Sequence, residues 1–114
     1  MIFGKQWGQT ALVTSNKALE LHHLHIRAGG RCSRHRHLTK YNGFFVIRGK
    51  VCIRVWKTDQ GLLSQVDETI LGPGQFTAVE PPEWHQFEAL EDTEALELYW
   101  AQFDPTDIER EVPQ

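Results

Sequence analysis

A chain of 114 residues is long enough to bury one hydrophobic core without disulfide staples and too short for two domains of ordinary size. A formal charge of −3 and the lack of any recognised nucleic-acid motif argue against a nucleic-acid partner, and no run approaches the roughly 18 apolar residues of a membrane span. The opening Met1-Ile2-Phe3-Gly4-Lys5-Gln6-Trp7 has no basic start ahead of an apolar run, which predicts a soluble cytoplasmic protein, and Cys32 and Cys52, outside any CxxC spacing, are expected as free thiols.

Residues 1–10 read as a short arm, part of an N-terminal stretch 1–17, with Phe3 and Trp7 available to dock on the rest of the chain or on a second copy. Ala11 to Ser15 is a weak strand and Asn16-Lys17 a turn. Leu19 to Arg27 alternates, with Glu20, His22, Leu24 and Ile26 on one face and Leu21, His23, His25 and Arg27 on the other. After Ala28-Gly29-Gly30 comes an extended stretch containing His35 and His37. Asn42 to Ile47 and Val51 to Trp56 are rich in β-branched and aromatic residues, and Arg48-Gly49-Lys50 between them reads as a hairpin whose glycine takes positive φ.

Thr58-Asp59-Gln60-Gly61 is a turn, with a loop running on toward Gln65. Short strands follow at Asp67 to Leu71 and Gln75 to Val79, divided by Gly72-Pro73-Gly74. Pro81 and Pro82 have no ladder N–H to offer, so they end the second of these strands and present Trp84 and His85. His85-Gln86-Phe87 and Ala95 to Phe103 complete the strands, with an acidic turn at Glu91-Asp92-Thr93-Glu94 between them. Asp104 and Pro105 suit the N-cap and first position of one helical turn ending near Arg110, in a C-terminal tail 105–114. Strands of about 4 to 8 residues, closely spaced turns and no long 3.6-period segment predict an all-β antiparallel sandwich or barrel.

Charge is segregated along the chain. Leu21 to Thr58 holds no Asp or Glu but nine basic residues, whereas Arg110 is the only base from Asp59 onward. One reading pairs basic strands with acidic ones across a sheet or a dimer interface. The other lets Lys40 or Arg48 rim a cavity and favour an anionic ligand. Arg34 and Arg36 alternate with His35 and His37 and leave the opposite face of their strand.

His35 and His37, two apart in extended chain, project from one face and can converge on a point. Imidazole is the commonest neutral ligand for zinc, iron and nickel, and a third histidine is needed for a sound site; His85 is the obvious supplier. The spacing also resembles the first motif of the cupin family, with Gly29, His35, His37 and Gly49 in register and Asn42 where the family usually has its ligand glutamate. Gly74 and His85 keep the spacing of the second cupin motif, while Glu80, Pro81, Pro82 and Ala89 depart from it. The likeness spans residues 18–104 and implies a double-stranded β-helix, or jelly roll, in a single domain.

The resemblance further implies one divalent metal ion (zinc, iron, nickel or manganese) on His35, His37 and His85, with Asn42 in or next to the coordination sphere. It turns the Leu24 and Ile26 face inward, which brings His22 toward the cavity as a hydrogen-bonded histidine or an extra ligand, and leaves His23 and His25 outside. Lys40, Tyr41, Arg48 and Phe87 are the expected ligand-binding residues. The motif arrangement resembles small cupins related to mannose-6-phosphate isomerase, and a three-histidine centre resembles some cupin dioxygenases. Three functions therefore stand: a metal-dependent enzyme on a small anionic or hydroxylated molecule, a ligand-binding or sensing protein, and a metal-free structural cupin. Phe3, Trp7, Trp56 and Trp100 exceed what one small barrel encloses, which predicts a homodimer.

Overall fold

The computed structural model describes the backbone of residues 2–59, 62–101 and 103–111, and the side chains of 4–57, 65–101 and 103–111. Its strands are β1 (Ile2–Lys5), β2 (Gly8–Ser15), β3 (Leu19–Ile26), β4 (Tyr41–Arg48), β5 (Val51–Asp59), β6 (Leu62–Leu71), β7 (Phe76–Val79), β8 (Trp84–Ala89) and β9 (Thr93–Trp100). They pair antiparallel throughout, in a six-stranded sheet of order β1-β2-β3-β9-β4-β7 and a three-stranded sheet of order β6-β5-β8. This is the expected all-β jelly roll.

Period-2 alternation decides which residues meet between the sheets. Leu24 and Ile26 of β3 and Phe44 and Val46 of β4 face Val51 and Ile53 of β5 and Phe87 and Ala89 of β8, and Leu71 and Val79 join the same buried cluster. Trp7 packs its edge on the Phe87 ring at 5.0 Å, so this part of the N-terminal stretch docks on the core of its own chain. At the β4–β5 hairpin Gly49 has φ of 97°, and any Cβ there would lie 2.4 Å from the Asp92 carbonyl oxygen, so only glycine fits.

Several local expectations need correction. The stretch 1–17 is no arm: β1 and β2 form a hairpin on the edge of the larger sheet, because β2 finds its partner in β3 along nearly its whole length. The Phe3 side chain lies outside the described residues. Strand β6 starts at Leu62 rather than after a loop to Gln65, in register with β5; Gln60 and Gly61 of the intervening turn are outside the described residues.

The histidine segment is not a regular strand. Arg31 to His37 contains no β-branched residue and pairs with β8 as two isolated bridges, Arg31 with Glu88 and His35 with His85. Between them the Cys32 N–H donates to the Phe87 carbonyl at 3.3 Å and the Gln86 side-chain amide donates to the Cys32 carbonyl at 2.8 Å. Asp104 caps a turn rather than a helix: its Oδ1 accepts from the Thr106 backbone N–H at 2.9 Å and from the Thr106 hydroxyl at 2.7 Å, and no helical turn follows among the described residues.

The charge segregation resolves in part into ion pairs between strands and their flanking turns. Arg54 of β5 donates to Glu68 of β6 at 2.9 Å and to Glu88 of β8 at 2.6 Å, binding all three strands of the smaller sheet. Lys57 lies 3.6 Å from Glu83, and Lys50 lies 3.8 Å from Glu91. Cys32 and Cys52 are free, as expected.

Candidate metal centre

Backbone pairing builds the site. His35 and His85 exchange both backbone hydrogen bonds, at 3.0 and 2.8 Å, and residues directly opposite in an antiparallel pair send their side chains to one face. His37, two residues on, joins them. The three ring centroids stand 4.4 to 5.5 Å apart, and the ligand nitrogens of all three lie within 4.8 Å of one another.

The tautomers follow from the partners. His35 Nδ1–H donates to the Ser33 carbonyl at 2.8 Å and His85 Nδ1–H donates to the Glu83 carbonyl at 3.0 Å, which leaves the Nε2 lone pair of each ring free. His37 Nε2 is buried with no hydrogen-bond partner. His85 is almost wholly inaccessible, and burial, reinforced by the neighbouring His35 and His37, lowers its pKa to about 4 although the Glu83 carbonyl opposes the shift. Burial likewise lowers the pKa of His37, with His35 and Lys40 adding repulsion. Both rings are therefore neutral near pH 7, the state a metal ligand needs.

Asn42 is fully buried beside them. Its amide nitrogen faces the Leu98 carbonyl at 3.2 Å and Glu97 at 3.4 Å, so flipping the amide would turn its oxygen onto the Leu98 carbonyl. In the unflipped orientation Asn42 Oδ1 stands 2.9 Å from His85 Nε2. Two lone pairs then face each other with no proton between them, an arrangement that a shared cation relieves.

A cavity of about 630 Å³ opens beside these residues, walled by Trp7, Phe87 and Tyr99 and carrying Lys5, Arg31 and Lys40. Lys40 Nζ sits 5.1 Å from the centre of the Tyr99 ring. Glu97 reaches the same cavity from β9; its carboxyl is hydrogen-bonded by Tyr99, and burial pushes its pKa up. Burial and Glu97 together also raise Tyr99, and burial raises the Cys32 thiol to about 11, so neither is an anion near neutral pH.

Of the expected ligand-binding residues, Lys40 and Phe87 line this cavity and two do not. Tyr41 neighbours the inward-facing Asn42 and so points outward, where it stacks on Trp100 at 5.6 Å. Arg48 lies at the far end of β4 and pairs with Glu94 at 2.6 Å on the outside of the barrel. His22 reaches the cavity but is not in the ligand group: its Nε2 bonds Glu20 at 2.8 Å and its Nδ1 lies 3.4 Å from the Thr10 hydroxyl. Arg34 and Arg36 face away and lie over Trp56 and Trp84 at 5.1 and 4.9 Å. Glu97 and Arg31 were missed. The signal for Glu97 was the alternation in β9, where inward Ala95 fixes Glu97 and Tyr99 on the same face.

Fold and site together define a class: a double-stranded β-helix with a cluster of histidines on its inner wall. The chain belongs to the cupin family, whose domain model matches residues 22–102. Among solved structures of similar fold, KdgF from Halomonas sp. is 19% identical with a TM-score of 0.71, over 88% of this chain and 84% of that one. An RmlC-like cupin from Shewanella frigidimarina is 15% identical with a TM-score of 0.71, over 91% and 86%. The oxalate decarboxylase of Bacillus subtilis, a protein with Mn(II) centres, is 17% identical with a TM-score of 0.76, over 91% of this chain but 28% of that one. At these identities the likeness is one of fold. No curated protein matches the chain.

Proposed function

We propose that the chain binds one divalent metal ion through His35, His37 and His85, with Asn42 Oδ1 as a further ligand, and uses it to anchor a small hydroxylated or anionic molecule in the adjoining cavity. The observation that carries this reading is the set of three Nε2 atoms. Two have their lone pairs freed by backbone carbonyls on Nδ1, and the third, on His37, is buried without a partner. A metal-free structural role would leave that nitrogen unsatisfied, at a cost of about 1–3 kcal/mol. A donor set of imidazole nitrogen and one neutral oxygen suits zinc, iron, nickel or manganese better than calcium or magnesium. A bound ion of this kind supplies Lewis acidity toward a ligand oxygen.

The rest of the chemistry belongs to this chain's residues. Lys40, Arg31 and Lys5 give the cavity its positive groups, while Trp7 and Phe87 exclude water from one wall. Binding without turnover is the second reading, and one observation favours it: the described carboxylates lining the cavity, Glu20 and Glu97, are engaged by His22 and by Asn42 and Tyr99. A base for isomerase chemistry would have to be released from one of these partnerships. Two unpaired thiols fit a cytoplasmic setting.

Metal analysis of protein purified without a histidine tag tests the proposal. About one equivalent per chain is expected in the wild type, and occupancy should collapse in His37→Ala while the circular dichroism spectrum is kept. Full occupancy in that variant would refute the assignment. For the ligand, calorimetry at low salt should show tighter binding of a sugar phosphate than of the neutral sugar, with the difference reduced in Lys40→Ala. Equal affinity for the two would remove the anionic preference.

A further inference from the structure

We propose that the outer face of the six-stranded sheet carries a second metal site, formed by His23, His25 and Glu94, for a borderline divalent ion such as zinc or nickel. His23 and His25 are two apart on β3 and share its outward face, and Glu94 pairs across from His25 on β9. The rings stand 4.8 Å apart, and one ligand atom from each of the three residues lies within 4.8 Å of the others. None of the three belongs to the interior cluster. They lie on the other side of the sheet from His22, and about 16 Å of strand separates Glu94 from Tyr99.

The carboxylate is already held for the task. Glu94 Oε1 accepts from Arg48 at 2.6 Å, while Oε2 accepts from His23 Nε2–H at 2.7 Å. The hydrogen bond from His23 and the positive charge of Arg48 keep the Glu94 carboxyl below its ordinary pKa, so it is ionised near neutral pH. An incoming cation takes the place of the proton between His23 Nε2 and Oε2, and the ring's proton moves to Nδ1 by exchange with solvent, so that His23 binds as neutral imidazole. Arg48 keeps Oε1 throughout and orients the carboxylate from behind, as outer partners of metal ligands do. Two imidazoles and one carboxylate select a transition ion over calcium or magnesium. A groove of about 450 Å³, lined by His25 and Glu94 together with Gln9, Arg27 and Asp92, leaves room for water to complete the coordination. The Arg27 and Arg48 guanidiniums repel a cation, so this site is the weaker of the two.

Zinc alone is the probe. In full-length, tag-free protein with ¹⁵N-labelled histidine, zinc titration should move the ring resonances of His23 and His25 together along one saturating isotherm. His25→Ala and Glu94→Gln, both on the outer surface, should each weaken that isotherm at His23 by more than about tenfold without altering the interior histidine signals. Unmoved His23 and His25 resonances at tenfold zinc excess would overturn the proposal, and so would unchanged affinity in His25→Ala. Either result would make the cluster a plain ion pair. The readout is separate from the interior centre, whose success or failure it leaves untouched.

Discussion

Burial lowers the pKa of His85 well below that of an ordinary histidine, and this links the site to folding. An ordinary histidine takes up its proton below about 6.5, whereas the buried His85 resists until about 4. Between these values this site holds more protons in the unfolded chain than in the folded one, so the contribution of His85 to stability is complete above about pH 6.5 and declines as pH falls toward 4. In chelator-treated protein the melting temperature should therefore drop from pH 7 to pH 4.5, and His85→Gln should flatten that part of the profile. An identical slope in the variant would show that other groups set the acid sensitivity. The three histidines were legible in the sequence because two share a strand-like face and the third follows a proline pair. Asn42 was legible only through the cupin spacing, and its orientation depends on Leu98 and Glu97, which no local pattern links to it. Tyr41 and Arg48 were misplaced because sequence proximity to the site was weighed above strand parity and distance along β4.

Hairpins and core strands were the readable elements, since β-branched and aromatic runs bounded by glycine specify them locally. Gly49 illustrates the strength of that signal: it combines positive φ with a close approach to Asp92 and Thr93. Gly49→Ala should cost about 2 kcal/mol or more, read as a lower denaturation midpoint with unchanged slope. A change under about 0.5 kcal/mol would mean that the turn relaxes freely. The N-terminal hairpin was unreadable for the opposite reason. Its Gly4, Gln6, Gly8 and Gln9 have poor strand propensity, and the order comes from pairing with β3. The histidine segment erred the other way, since alternating side chains suggested a strand while two isolated bridges and the Cys32 hydrogen bonds tie it to β8 and aim His35 and His37.

At the scale of the whole molecule, the inner faces of the sheets are fully used and the outer face of the larger sheet is not. Alternation places Leu21, Tyr41, Phe45, Leu96, Leu98 and Trp100 on that face, half-buried. Phe76 lies across it, 51% exposed, stacked on the Trp100 ring at 6.4 Å. Gly43 permits this, because a Cβ there would meet both rings at 2.7 to 2.8 Å. A contiguous aromatic and aliphatic surface of this kind is more than scattered exposed residues, and a second copy related by a two-fold axis would cover it with the same residues. Trp7 and Trp56 are not part of this surface, since Trp7 packs on Phe87 and Trp56 lies under Arg34. The Trp100 end is apolar, whereas the Glu94 end is lined by His23, His25 and Arg48, so a dimer seated at the former leaves the latter open. We expect light scattering at micromolar concentration to give twice the chain mass, and Phe76→Lys to shift it toward the monomer with the strand content kept. A monomer mass in the wild type would sink the dimer, and a dimer undisturbed by Phe76→Lys would move its interface to another face.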